Sequence, residues 1–159
     1  MKITRVETLW HPKWARYVWL QLHTEAGHIG LGEVGHNALA AEHVVHEYAR
    51  RFLLGQEAER IDHHWTTIYD SMRIFSPAGS ELRALAAIDE ALWDILGKVC
   101  GAPIYQLLGG ASRETIPIYN TCIGQEPIPD FQRFHDDAGA LAAELLEAGF
   151  QCMKIWPFD

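Results

Sequence analysis

No stretch of this 159-residue chain stays apolar over the ~18 residues that a membrane-spanning helix needs. The N-terminal MKITRVETLWHPKW likewise lacks the apolar run of a secretion signal. A cytoplasmic protein with no membrane partner is the expectation. Basic residues are also scarce: 13 Lys and Arg stand against 21 Asp and Glu, a net charge of −8. They form no stripe that could follow a phosphate backbone, so nucleic acid is not an expected partner. Cysteine is limited to Cys100, Cys122 and Cys152, an odd number without CxxC spacing. That favours reduced thiols over a disulfide or zinc framework. Repeats and low-complexity tracts are missing, and 48% apolar with 21% charged residues is the composition of a globular protein.

The pattern of residues predicts two structural regions. Lys2 to Leu9, Ala15 to Thr24 and His28 to Val34 alternate apolar and polar positions, with Glu25-Ala26-Gly27 as a turn, which predicts a three-stranded antiparallel sheet. Helical spacing follows over Ala38 to Leu54 and Ile61 to Met72, and Ser76 to Ser80 breaks the pattern. From about Glu81, Leu85, Ile88, Leu92, Ile95, Leu96 and Val99 recur at three- and four-residue steps as one apolar stripe. Asp89, Glu90, Asp94 and Lys98 take much of the opposite side. Gly101 and Pro103 stop this helix, and Leu107 and Leu108 anchor the next turn. Beyond Gly109-Gly110, Thr115 to Thr121 reads as a strand, Pro127 to Pro129 as a loop, Phe131 to Ala148 as a helix and Cys152 to Trp156 as a second strand. That is one βαβ crossover with parallel neighbouring strands. Trp19 and Trp93 read as core.

The segment Ala86 to Gly110, AAIDEALWDILGKVCGAPIYQLLGG, resembles the signature helix of the mandelate racemase and muconate lactonizing group of the enolase superfamily. Gly27 to Gly35 (GHIGLGEVG) resembles the third strand of that family's capping domain, and Gly149 to Lys154 (GFQCMK) the approach to its second barrel strand. The resemblance implies an α+β capping domain over residues 1–112, with a three-stranded antiparallel sheet and helices. Residues 113–159 would be the first strand, helix and second strand of a (β/α)7β TIM-like barrel. Such a barrel needs about 200 residues or more, so the chain is expected to be a fragment of a longer enzyme or a truncated product. Alone it is expected to be inactive.

Barrels of this kind carry their working residues at the carboxyl ends of strands. Tyr119 and Asn120 on the first strand and Lys154 and Trp156 on the second are therefore candidates. By resemblance, Lys154 aligns with the first lysine of the family's Lys-x-Lys motif, a catalytic cation near the substrate carboxylate; the other reading is an ordinary lysine at a strand end. Trp156 stands where many relatives place a lysine base, and indole donates a hydrogen bond but cannot accept the proton. Racemisation wants a base on each face of the enediolate, whereas dehydration needs only one, whose conjugate acid helps the β-hydroxyl leave. Relatives draw that base, a His-Asp pair, and the carboxylates that hold Mg²⁺ from later strands, so no metal ligand is expected in this chain.

The short loop Trp10-His11-Pro12-Lys13-Trp14 resembles that of acid-sugar dehydratases. Lys13 and Trp14 either contact a hydroxylated substrate or pin the loop onto the sheet. A second cap loop near Gly35-His36-Asn37 would share the barrel mouth. Other constellations carry less: His43 and His46 share a helix face but lack a third zinc ligand. Asp62-His63-His64 reads as the polar start of a helix, Asp89 and Asp94 as capping or ion-pairing residues, and the glycines of GHIGLGEVG as strand rather than nucleotide loop. The resemblance thus implies a Mg²⁺-dependent lyase acting on a small carboxylate, an acid sugar, as a homo-oligomer. The alternatives are a racemase, epimerase or cycloisomerase of the same group, or a non-catalytic cap acting as a binding and assembly module.

Overall fold

The computed structural model describes residues 1–36, 38–74, 78–124 and 129–156. The chain divides into two compact units, Met1–Ala111 and Ser112–Asp159.

In the first unit, β1 (Ile3–Trp10), β2 (Tyr17–Thr24) and β3 (Ile29–Gly35) form an antiparallel sheet in the order β1-β2-β3. Val18, Leu20 and Leu22 alternate inward along β2 and meet Val45, Ile68, Leu85, Ile88, Leu92 and Ile95 from the helices in one hydrophobic core. The helices are α1 (Ala38–Tyr48), which continues into a π turn at Ala49–Leu53, α2 (Ile61–Met72), α3 (Ser80–Cys100) and the single turn α4 (Ile104–Leu107). α3 stops at Gly101, whose φ of 63° is left-handed and open to glycine without a Cβ penalty.

α3 runs under β3 and along its free edge, and the sequence is built for both contacts. A Cβ on Gly30 would sit 2.0 Å from the Ala91 carbonyl oxygen, and one on Gly32 2.0 Å from that of Ala87. The glycines of GHIGLGEVG therefore let a helix backbone approach a strand. Along the edge, Asp94 Oδ2 accepts from the Leu31 N–H at 2.8 Å and Glu90 Oε2 from the Glu33 N–H at 3.0 Å. Lys98 Nζ donates to the Ile29 carbonyl at 2.6 Å. Glu90, Asp94 and Lys98 thus do more than take the polar side of the helix: they satisfy the edge strand's outward backbone groups.

Several expectations need correction in this unit. Trp19 is half-buried on the open face of the sheet, stacked on Tyr17 with its Nε1 donating to Glu33 at 3.0 Å; as partner of inward-facing Val18 and Leu20 it must point outward. Trp93 packs against the core without being enclosed. Val99 is 45% exposed and Leu108 65% exposed, so neither side chain joins the buried stripe or anchors the turn by burial. Asp62 and His63 are exposed at the start of α2 as a polar helix start predicts, whereas His64 is buried, with Nε2 2.8 Å from the Glu57 carbonyl. Of the expected break before α3, Ser76 and Pro77 lie outside the described residues.

In the second unit, β4 (Asn120–Thr121) and β5 (Met153–Lys154) pair in parallel, with α5 (Asp130–Glu147) between them in sequence. The pairing is shorter than Thr115–Thr121 and Cys152–Trp156 predict. Ile116 and Ile118 are highly exposed, and without a covering layer a strand's apolar side chains gain nothing from order. α5 is not one straight helix: Asp137 (φ −154°, ψ 86°) interrupts it, and its Oδ1 accepts from the Ala140 N–H at 2.9 Å. That is an N-cap placed inside the run. Arg133 and Glu144 pair at 2.6 Å across the kink. Cys122, Phe134, Leu141 and Leu145 form a small core, joined by Phe150, Met153 and Trp156. Pro127 and Pro157 to Asp159 lie outside the described residues.

Candidate active site

The candidate residues fall into two groups, one in each unit. In the first, Pro12 opens a 3-10 turn over Pro12–Trp14, where its fixed φ suits the first helical position. His11 caps it: Nδ1 accepts from the Lys13 N–H at 3.2 Å and the His11 carbonyl from the Trp14 N–H at 2.9 Å. None of Pro12, Lys13 and Trp14 is buried, and Trp14 is 52% exposed with the Lys13 ammonium 5.7 Å from its ring centroid. The loop is held by its cap, which leaves a cation and an aromatic face turned outward.

Beside this loop, Ala15, Arg16, Ala38, Leu39, Ala40 and Ser80 line a cavity of about 410 Å³. The second cap loop is fastened by a residue that local sequence does not flag. Arg83 Nη1 donates to the carbonyls of Gly35 at 2.7 Å and His36 at 2.8 Å, and His36 holds a left-handed φ of 51°, uncommon outside glycine. Asn37 lies outside the described residues.

In the second unit, β4 and β5 bring Asn120 and Thr121 alongside Met153 and Lys154. The Asn120 N–H donates to the Cys152 carbonyl and the Cys122 N–H to the Lys154 carbonyl, both at 3.0 Å. The Lys154 ammonium lies 4.0 Å from the Trp156 ring centroid, within range of a cation–π contact. The indole Nε1 is buried with no acceptor among the described residues, a desolvated donor of the kind that calls for a partner. Tyr119 is exposed. Asn120 is engaged: its Nδ2 donates to Asp130 at 2.8 Å and approaches Cys122 Sγ at 3.4 Å. Burial pushes the Cys122 thiol up, with Asn120 opposing and the Asp130 charge adding to the effect, which favours the neutral thiol. Asp130, buried at the start of α5, had only a weak signal in the sequence: an acid in a helix's first turn. Its partner ten residues upstream was not readable.

No group of three or more His, Cys, Asp or Glu side chains is placed to hold a metal ion among the described residues. His46 faces Thr8, with Nε2 2.9 Å from Oγ1. These residues do not by themselves fit a magnesium ion.

Comparison with known proteins places this geometry. Residues 6–109 match the family described as Mandelate racemase / muconate lactonizing enzyme, N-terminal domain. A D-galactonate dehydratase of Variovorax paradoxus (strain S110) is 35% identical over 98% of this chain and 38% of its own length. The chain therefore spans less than two fifths of that curated relative. Among solved structures, an enolase of the mandelate racemase subgroup from Agrobacterium tumefaciens is 40% identical at a TM-score of 0.83, over 100% of this chain and 40% of that one. A putative galactarate dehydratase from Agrobacterium radiobacter, bound to Na and L-malate, is 32% identical at a TM-score of 0.77, again over 100% and 40%. The chain belongs to the mandelate racemase/muconate lactonizing enzyme family of the enolase superfamily, whose N-terminal domain forms its first unit.

Proposed function

We propose that this chain is the N-terminal portion of a Mg²⁺-dependent acid-sugar dehydratase. Residues 1–112 serve as the cap and residues 113–159 open the barrel. The observation that carries this reading is the 35% identity to a D-galactonate dehydratase along 98% of the chain. The residue change that fits it is Trp156 in place of a second base. The reaction removes the proton from C2 to a base and expels the C3 hydroxyl, which leaves as water after taking up a proton. The resulting enol then tautomerises to a 2-keto-3-deoxy acid.

Magnesium, when bound, would be held by residues beyond this chain and would stabilise the negative charge that develops on the substrate carboxylate. Within the chain, Lys154 is assigned to the substrate carboxylate, where its ammonium offsets the negative charge that develops as the proton leaves. Trp156 offers a ring face to that ammonium and no second proton acceptor. Lys13 and Trp14 on the cap loop, and Tyr119 and Asn120 on the first strand, are assigned to the hydroxylated chain. In this reading the 159-residue chain alone is inactive, and no group of three or more His, Cys, Asp or Glu side chains is placed to hold a metal among its described residues.

Extending the reading frame past Asp159 and assaying the full-length protein against an acid-sugar library by mass spectrometry is the test. Loss of one water from an aldonate or aldarate is the expected result. Exchange of the α-proton without loss of water would replace the proposal with a racemase or epimerase, and a stop codon at that point would leave a non-catalytic module.

A further inference from the structure

α3 reaches back to the second cap loop through Arg83. Both hydrogens of one terminal nitrogen are engaged there: Nη1 donates to the Gly35 carbonyl at 2.7 Å and to the His36 carbonyl at 2.8 Å. The clasp holds a backbone conformation that a side chain disfavours. His36 has a φ of 51°, the one positive value outside glycine among the described residues. Glycine would take that angle without steric penalty, so a histidine here sets its side chain against its backbone's preference. Residues held this way collect at ligand clamps, where a fixed loop presents a side chain in one direction. His36 is exposed.

The clasp also borders a space. Ser80, three residues before Arg83 on α3, and Ala38, two residues past His36, both line the cavity of about 410 Å³ beside the first cap loop. Arg16 is the one charged residue among those that line it. Gly35 pairs with Tyr17 across β3 and β2, so the two loops leave the sheet at the same end.

We infer that His36 reads a hydroxyl on the far part of the acid-sugar chain, and that Arg83 is the positioning residue that sets it there. This rests on the proposed function, which gives the cap the hydroxylated end of the substrate. A neutral imidazole donates from one nitrogen and accepts at the other, and a hydroxyl can answer either. Arg83 acts through the loop rather than on the substrate.

The experiment uses the full-length enzyme with a six-carbon acid sugar and a four-carbon one of the same configuration at C2 and C3. Both carry the reacting carbons, and the longer adds the far hydroxyls. His36→Gly keeps the backbone angle and deletes the ring. Its kcat/KM for the six-carbon substrate should fall about tenfold, the effect of one lost hydrogen bond. That loss should lie in KM, with kcat and the four-carbon substrate changed less than about threefold. Arg83→Gln should reproduce this pattern, and Arg83→Lys, which keeps a charged donor for the two carbonyls, should recover most of the loss. The double variant H36G/R83Q should be no worse than the poorer single variant, because both act on one contact.

Equal losses on the two substrates in Arg83→Gln would mean that Arg83 only supports the fold. Losses that multiply in the double variant would mean that the two residues act apart. Either result overturns the inference, as does a His36→Gly enzyme whose kcat/KM for the longer substrate is unchanged. The proposed function survives all three, since water is still lost. A wild-type enzyme that dehydrates no acid sugar overturns both.

Discussion

His64 shows what a single side chain can reveal that a polar-looking stretch conceals. Its Nε2 lies 2.8 Å from the Glu57 carbonyl, an acceptor only, so the neutral ring carries its proton on that nitrogen. Burial lowers its pKa below the ordinary value of 6.5, against the opposing pull of that hydrogen bond. The unfolded chain therefore takes up a proton first as pH falls. Stability from this residue is complete above about pH 6.5 and is lost progressively below it, until the folded pKa is passed. His64→Gln can keep the hydrogen bond without titrating. The stability gap between wild type and H64Q, measured by urea unfolding, should shift against wild type as pH drops from 7 to 5, and a pH-independent gap would refute the assignment. Asp89 runs the other way: burial raises its pKa, with Asp62 and Glu90 adding to the effect. Its contribution is present below the unfolded pKa and lost as pH rises through the folded one. Asp89→Asn should accordingly raise the melting temperature at neutral pH, with the gain fading in acid.

Elements were legible where a local pattern sufficed. α2 runs over Ile61–Met72 as the spacing predicts, and α3 ends where Gly101 and Pro103 say it must. What the sequence left hidden depends on partners distant along the chain. Alternation alone did not say which face of β2 the core would claim, so Trp19 was misplaced. Nor could spacing on α3 show that Glu90 and Asp94 reach the N–H groups of β3, some sixty residues earlier. Those contacts define two tests. Gly32→Ala would force a methyl to within 2.0 Å of the Ala87 carbonyl oxygen. It should cost at least about 3 kcal/mol in urea unfolding, because neither backbone can yield without disturbing the core. Replacing Glu90 and Asp94 together by Ala uncovers the β3 edge at a cost of about 1 kcal/mol for each lost backbone hydrogen bond. It should also promote association through the exposed edge. A double variant that stays monodisperse at high concentration in light scattering would show that the edge needs no such cover.

At the scale of the whole chain, the two units differ in what holds them together. The first has a continuous core fed by three strands and three long helices, with Leu20, Leu22, Ile68, Leu85, Ile88 and Leu92 all fully enclosed. Among its described residues the second encloses four apolar side chains, Cys122, Phe134, Leu141 and Leu145, beneath two strands of two paired residues each. The family signature was legible because it lies in the first unit, where composition, periodicity and stop signals agree. The second was harder to read because a two-stranded parallel pair has too few neighbours to order Thr115 to Ile118, and its kink at Asp137 is marked in the sequence only by Gly139 two residues on, a lone glycine inside an otherwise helical pattern. Local opening free energy follows buried apolar contact. Backbone amides of α5, β4 and β5 should therefore exchange with solvent at least about tenfold faster than those of α3 and β2 in the 159-residue protein, a difference of ~1.4 kcal/mol or more. Hydrogen exchange read by mass spectrometry, with peptides covering Phe131 to Glu147 and Leu85 to Val99, measures the comparison directly. Under the proposed function further barrel strands would add to that small core, and in a protein carrying them the α5 peptides should slow toward the α3 rate. Equal exchange of the two helices in the 159-residue protein would mean that the small core is as stable as the large one, and that strands beyond it are not what the second unit lacks.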